Sequence, residues 1–381
     1  MIFDYLQPVS LEIEKFVANL SNQTLGKKVV LHTETDYPNL DTIAIALIFV
    51  NENRGCDQYY EADFFTTIRK NLYQLFPGNW NKGIADLGDV LIGNEITDTY
   101  YALKTVCSEL IKNKITPIVV GGSQDLTYAL YRAYDDLEQM VNLVSIDHQF
   151  NFAKEDNLAS DSFLSKIIIE EPNNLFNFST IGYQTYYNSQ EEIDLIEKIY
   201  FDAYRLGEII KNPSLVEPIF RDADLVSLDL HSIKSSDSGN FEQFQPNGFD
   251  GREICSLARY AGISDKISCL GIFNSNYTKN EVHLLNEVIW YFIEGFHYRS
   301  YEFPFEDKIN YFKYIVLVED EELVFYKSNR SERWWIEIQQ INKYNNKSKK
   351  TLLPCTHDDY LAACEQEIPE RWWKAIRKNH L

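Results

Sequence analysis

The chain has 381 residues, 45% of them hydrophobic and 14% aromatic, enough apolar material for one large α/β domain or two medium ones. A net charge of −21 argues against nucleic acid as the main ligand, because a phosphate backbone calls for clustered Lys and Arg. No apolar run approaches the ~18 residues that span a bilayer, and the N-terminus MIFDYLQPVS lacks a basic segment followed by a long apolar one. The expectation is a cytoplasmic protein without membrane insertion. The six cysteines (Cys56, Cys107, Cys255, Cys269, Cys355, Cys364) form no CxxC pair, which points to free thiols rather than a disulfide framework or a zinc site.

Along the chain, short β-branched runs alternate with helical stretches, the pattern of a mainly parallel sheet covered on both faces. Strands are expected over 42–50, 84–92, 117–121, 143–147, 179–182, 225–230 and 267–273, and helices over 64–75, 98–112, 126–139, 190–199, 251–260 and 280–296. Residues 1–300 therefore read as one three-layer α/β/α domain. From 301 the rhythm changes. Strands over 312–318, 322–327 and 334–338 read as a small antiparallel meander, 342–350 as an exposed polar loop, and 358–366 and 369–378 as two closing helices. This α+β appendage, 301–381, holds four of the six tryptophans: Trp334, Trp335, Trp372 and Trp373. Alternate residues of a strand face opposite sides, so Trp334 and Trp335 cannot both point into one core, and these tryptophans are candidates for a partner interface as well as for internal packing.

Charge is divided unevenly between the two parts. Of 57 acidic and 36 basic side chains, 14 and 13 fall in 301–381, which leaves 43 against 23 for 1–300. An acidic body with a nearly neutral tail is consistent with simple solubility or with a basic protein partner.

Ligands of an open parallel sheet bind beyond the carboxyl ends of its strands. Three segments place polar or ionisable side chains there: IVVGGSQDLTYAL (118–130), LVSIDHQFNF (143–152) and LVSLDLHSIKSSD (225–237). Gly121 and Gly122 without the rest of a P-loop read as a tight strand-to-helix turn, with Asp125 as a helix-capping acid. Asp147 and Asp229 are either metal ligands or a carboxylate pair satisfied by hydrogen bonds and by nearby His148, His231 or Lys234.

These segments resemble, in order and spacing, the arginase-family motifs G-G-D-H, D-A-H-x-D and S-x-D-x-D, and 175–187 resembles the formimidoylglutamase branch. The similarity extends over roughly 30–298. It implies an arginase-like fold, hydrolysis of a linear amidine or formimidoyl substrate at two bridged manganese ions, and assembly into a homo-oligomer. Carried over position by position, it also implies a degenerate centre. The first motif's histidine falls on Gln124. The second motif keeps Asp147, but its histidine and last aspartate fall on Gln149 and Asn151, and its alanine on His148. The third keeps Asp229 and turns its second aspartate into His231. A substrate-facing glutamate falls on Asn274, and a histidine-bearing loop becomes 160–166 without histidine.

Two of six ligand identities remain, both bridging carboxylates. The resemblance so read implies a pseudoenzyme with a binding or scaffold role, no cofactor or at most one divalent, manganese-type ion at Asp147, Asp229, His231 and Gln149, and a protein partner. The resemblance extends to proteins with such a tail in bacteria with gliding or type IX secretion machinery, which implies a partner there. A one-metal hydrolase and a small-molecule sensor are the alternatives.

Overall fold

The computed structural model describes residues 2–56, 64–137, 139–152, 158–276, 278–302, 310–341 and 348–378. Among them, strands β1 (Leu6–Gln7), β2 (Val29–Leu31), β3 (Ile43–Phe49), β4 (Gly83–Val90), β5 (Thr116–Val120), β6 (Val141–Ile146), β7 (Leu175–Tyr183), β8 (Asp202–Arg205), β9 (Leu225–Asp229) and β10 (Cys269–Phe273) form one sheet. Its order is β1-β4-β3-β5-β10-β9-β6-β7-β8, with β2 pairing β4 off this path; the pairings are parallel except β1 on β4.

Helices cover both faces. On one lie α1 (Leu11–Ala18), α2 (Phe64–Gln74), α7 (Leu206–Lys211), α8 (Val216–Asp222), α10 (Gly251–Ile263) and α11 (Lys279–His297). On the other lie α3 (Ile96–Lys112), α4 (Leu126–Arg132), α5 (Ala159–Ile169) and α6 (Gln190–Lys198). The sequence of β3 shows why: Ile45, Leu47 and Phe49 join the first core while Ala46 and Ile48 join the second, so the strand is buried on both sides and reads as a continuous apolar run. Burial of this kind on both faces contributes roughly 25 cal/mol per Å² of apolar surface.

The expected strands are all present, with ends shifted by a few residues. Those missed, β1, β2 and β8, have only two to four residues and lie toward the sheet margins. The helix expected over 126–139 stops at Arg132 and gives way to a 3-10 turn at Asp135–Leu137, where Lys104 and Arg132 pair with Asp135; residue 138 lies outside the described set. Residues 160–166, read as a loop that lost its histidine, belong to α5.

The C-terminal sheet has four strands in sequential antiparallel order: β11 (Tyr311–Val318), β12 (Glu321–Ser328), β13 (Trp334–Ile341) and β14 (Ser348–Cys355). β14 corrects the loop expected over 342–350, of which 342–347 lie outside the described residues. It escaped the pattern because it is an edge strand carrying Lys349, Lys350 and Pro354, residues that mark edges rather than strand interiors.

Helices α12 (His357–Cys364) and α13 (Glu370–Lys378) follow. Trp334 packs with Phe325 and Ile336 and stacks on Tyr360 of α12, ring centroids 4.8 Å apart. Trp335 takes the opposite face with Val324, Tyr326 and Leu352, and the Arg221 guanidinium of α8 sits 4.7 Å over its ring. Both are buried, so the second contact expected of this pair is with the body of the same chain. Trp372 is partly buried and donates its Nε1–H to Glu337 O at 3.1 Å; Trp373 is 39% exposed and meets Tyr200 edge-on. Of the four, Trp373 is the most exposed.

The appendage is fastened to the amino ends of the strands. Arg221 donates to Trp334 O and Cys355 O, each at 3.0 Å, and Lys374 Nζ lies 3.2 Å from Asp202 at the start of β8. A cavity of about 40 Å³ closes this junction, lined by Asn142, Asn177, Asp202, Arg371 and Lys378 among others.

Candidate functional site

At the centre of the sheet, β5, β10, β9 and β6 are adjacent and parallel, so their carboxyl ends open on one spot. Each delivers a segment singled out above: Gly121-Gly122-Ser123-Gln124 after β5, Asn274 after β10, Asp229 at the end of β9 and Asp147 after β6. The two glycines have φ of +97° and +82°, and a Cβ on Gly122 would fall 2.7 Å from Glu52 O. They make the tight turn. Asp125 was expected to cap α4, but its side chain makes no capping hydrogen bond; its carboxylate accepts the Tyr100 hydroxyl instead.

Asp147 and Asp229 are almost completely buried, at 0% and 1% exposure. Asp147 Oδ1 accepts the Gln149 backbone N–H at 3.0 Å, and its Oδ2 accepts Asn151 Nδ2 at 2.7 Å. Asp229 Oδ1 accepts the His231 backbone N–H at 2.7 Å, and its Oδ2 accepts Asn274 Nδ2 at 2.9 Å. Neither asparagine amide is free to turn over without loss. Gln149 Nε2 donates to Asn151 Oδ1 at 2.9 Å, and the Gln124 backbone N–H donates to Asn274 Oδ1 at 3.0 Å. Both asparagines have positive φ, 58° at Asn151 and 56° at Asn274, a backbone region that Asn tolerates better than most side chains.

His148 Nδ1 lies 3.0 Å from Asp147 Oδ1, off the line of a hydrogen bond, an ion-pair contact. Among the described residues, Asp147, His148 and Asp229 are a group whose ligand-type atoms all lie within 4.8 Å of one another. His231 is not part of it: its Nδ1 is 3.7 Å from Asp229 Oδ1 and its Nε2 faces Asn276 Nδ2 at 3.3 Å. Of the two imidazoles, His148 lies nearer the carboxylate pair, while His231 of the expected ligand set stays within 3.7 Å of Asp229. Lys234 also stands apart, paired with Asp237 at 3.7 Å.

Charge within the cluster follows from burial. Burial, then the Asp147 charge, pushes Asp229 up to about 8. Burial alone would lower His148, but the adjacent Asp147 carboxylate and then Asp229 outweigh it and hold the ring above its usual value. Burial and the His148 charge push His231 down to about 4. At neutral pH Asp229 then carries a proton and His231 is neutral.

Gln124 Nε2 donates to Ser227 Oγ at 3.0 Å, and Ser227 also meets Thr127 Oγ1 at 2.6 Å. Asn188 accepts the Phe150 N–H at 2.8 Å and donates to His148 O at 3.2 Å, fixing the loop that carries His148. Ser227, Thr127 and Asn188 were missed. A small polar residue facing inward from an apolar strand was the available signal for Ser227; nothing local marked Asn188.

A pair of dications a few ångströms apart requires several carboxylates to offset their repulsion. Here two carboxylates are met by two side-chain amides and two nearby imidazoles, and both amides present N–H groups, not oxygens, to the carboxylates. The residues do not fit a dinuclear centre.

The fold and site define an α/β protein with a buried carboxylate and imidazole cluster at the carboxyl ends of a doubly covered parallel sheet. The sequence model of the Arginase family matches residues 65–266, more than half of the chain, and the chain belongs to that family. Similar solved structures include Trypanosoma cruzi formiminoglutamase with Mn2+, at TM-score 0.62 and 16% identity, covering 70% of this chain and 97% of that one. Bacillus subtilis formimidoylglutamase gives 0.62 and 15%, covering 70% and 90%. The agmatine ureohydrolase of Thermoplasma volcanium gives 0.58 and 16%, covering 74% and 97%. At such identities the likeness shows the fold. The sequence has no significant match among curated proteins.

Proposed function

We propose that this chain is a pseudoenzyme of the Arginase family, a binding or scaffold protein whose former catalytic centre is a hydrogen-bonded plug. One observation carries the reading: Asn151 and Asn274 donate N–H groups to Asp147 and Asp229, with each amide locked by a second hydrogen bond. An amide that ligates a cation must present its oxygen. Both oxygens here are already engaged, and turning either amide over would set donor against donor.

The test is metal analysis of the purified chain, manganese titration by calorimetry, and turnover assays with formimidoylglutamate, agmatine and arginine. The expected result is no stoichiometric metal and no turnover. Stoichiometric manganese together with turnover that Asp229→Ala abolishes would overturn it.

The second reading is a one-metal hydrolase of a linear amidine. It is favoured by the convergence of Asp147, His148 and Asp229 within 4.8 Å. It requires Asp229 to give up its proton to an ion, and it predicts that His148→Ala removes metal binding while His231→Ala does not.

A further inference from the structure

β11 is an outer strand of the C-terminal sheet: among the described residues it pairs with β12 on one side and with no strand on the other. Its sequence YFKYIVLV is almost wholly apolar, and Phe312, Ile315 and Leu317 are 55%, 55% and 65% exposed. A long apolar edge that meets no strand on its outer side is a template for another strand, and soluble proteins usually blunt such edges with charge or proline. β11 carries Lys313 and no proline.

We propose that β11 pairs antiparallel with β11 of a second copy of this chain, about a twofold axis through Ile315, joining two four-stranded sheets into one. Three features favour a second copy over another occupant. First, opposed residues of a self-paired strand must point their backbone groups the same way, so the axis passes through a residue. With the axis at Ile315, Lys313 faces the partner's Leu317, Tyr314 the partner's Val316 and Phe312 the partner's Val318. Phe312 and Ile315 gain apolar residues directly opposite, Leu317 gains the partner's Ile315 diagonally, and no like charges are directly opposed.

Second, this register sets Lys313 diagonally beside the partner's Glu319, which follows β11 in the turn. Among the described residues Lys313 has no ion pair within 4.0 Å and both groups are exposed. Third, two bodies with 43 acidic and 23 basic residues each repel one another, whereas the appendage, with 14 and 13, is the surface where they approach at least electrostatic cost. The Leu317 carbonyl already accepts from Gln366 at 2.9 Å, and its second lone pair is left for a cross-strand bond.

The experiment is sedimentation equilibrium on the full chain, with a monomer–dimer equilibrium expected in the micromolar range. Ile315→Lys sets like charges against each other on the axis and should weaken the dimer at least about tenfold. Lys313→Glu should also weaken it, and Lys313→Glu combined with Glu319→Lys should restore it. In a Cys364→Ser background, Ile315→Cys should crosslink to a reducible dimer under mild oxidation, because directly opposed strand residues have Cα atoms about 4.5–5.5 Å apart. A wild-type chain that stays monomeric to about 100 μM, or a dimer that Ile315→Lys leaves intact and Ile315→Cys fails to crosslink, overturns the proposal.

Discussion

Replacing Asp229 with asparagine tests the electrostatics of the site directly. The carboxyl is pushed from 3.8 up to about 8 by burial and the Asp147 charge, so between those values the folded state holds a proton that the unfolded chain has lost. The unfolded state binds fewer protons, and stability must fall as pH rises, until it is lost through the folded value near 8. His231 acts oppositely: its folded value is near 4 against an ordinary 6.5, so its contribution to stability rises with pH across that interval and partly cancels the Asp229 slope below 6.5. The informative window is therefore pH 6.5 to 8.

A full one-proton difference is worth about 1.4 kcal/mol per pH unit, or about 2 kcal/mol across the window, reduced where the Asp147–Asp229 pair shares its proton. Urea denaturation in chelator should show wild-type stability falling by about 1–2 kcal/mol more than that of Asp229→Asn between pH 6.5 and 8. The variant also sets one amide N–H against Asn274 Nδ2, a pH-independent cost of about 1–3 kcal/mol, so the slope rather than the offset is the readout. Equal slopes would refute the assignment of a protonated Asp229.

Asn274→Ala removes the donor to Asp229 and the acceptor for Gln124 N while keeping φ at 56°, and should cost about 2–4 kcal/mol by chemical denaturation; a loss under 1 kcal/mol would mean the amide is not part of a rigid network. Trp335→Ala empties a buried site beneath Arg221 and should cost about 3–5 kcal/mol with no effect at the carboxylate cluster, read as a lowered Tm with an unchanged pH slope. Lys378 and Lys374 outweigh burial to hold Asp202 below its ordinary value. That contribution is present above the unfolded value and lost as pH falls through the folded one, so acid should loosen α13, measured by tryptophan fluorescence, and Asp202→Asn should loosen it at neutral pH.

The fold was legible because both sides of the sheet are covered. Strands such as β3 and β9 are buried on two faces and appear as short unbroken apolar runs, and the glycine and asparagine positions at their ends mark the turns. The marginal strands were not legible, since two to four residues show no periodicity, and β14 was hidden by its lysines and proline. Within the site, sequence placed Gln124, Asp147, Asn151, Asp229 and Asn274 at strand ends, and the structure brings these together. What it could not supply was direction. Asn151 reads equally as an oxygen ligand or an N–H donor, and no spacing reveals which of His148 and His231 lies nearer the carboxylate pair. The tryptophans illustrate the same limit: alternation required Trp334 and Trp335 to face opposite ways, but only the position of α8 decides that both faces are covered.

The residues of the centre fit one another in charge as well as in geometry. Buried carboxylates are tolerated only when paired or neutralised. Here a proton on Asp229 removes one of the two buried charges, and the His148 ring, held above its ordinary value by Asp147 and Asp229, lies 3.0 Å from the other carboxyl. An incoming divalent ion would have to displace the Asp229 proton and turn at least one locked amide. Its apparent affinity should therefore be weaker than about millimolar at pH 6.5 and rise with pH, up to about tenfold per unit for each proton released. Calorimetric titration with manganese in two buffers of different ionisation enthalpy counts those protons. Binding that is tight at pH 6.5 and releases none would mean that the carboxylates are already poised for a cation, and the plug would then be a reading of the wrong protonation state.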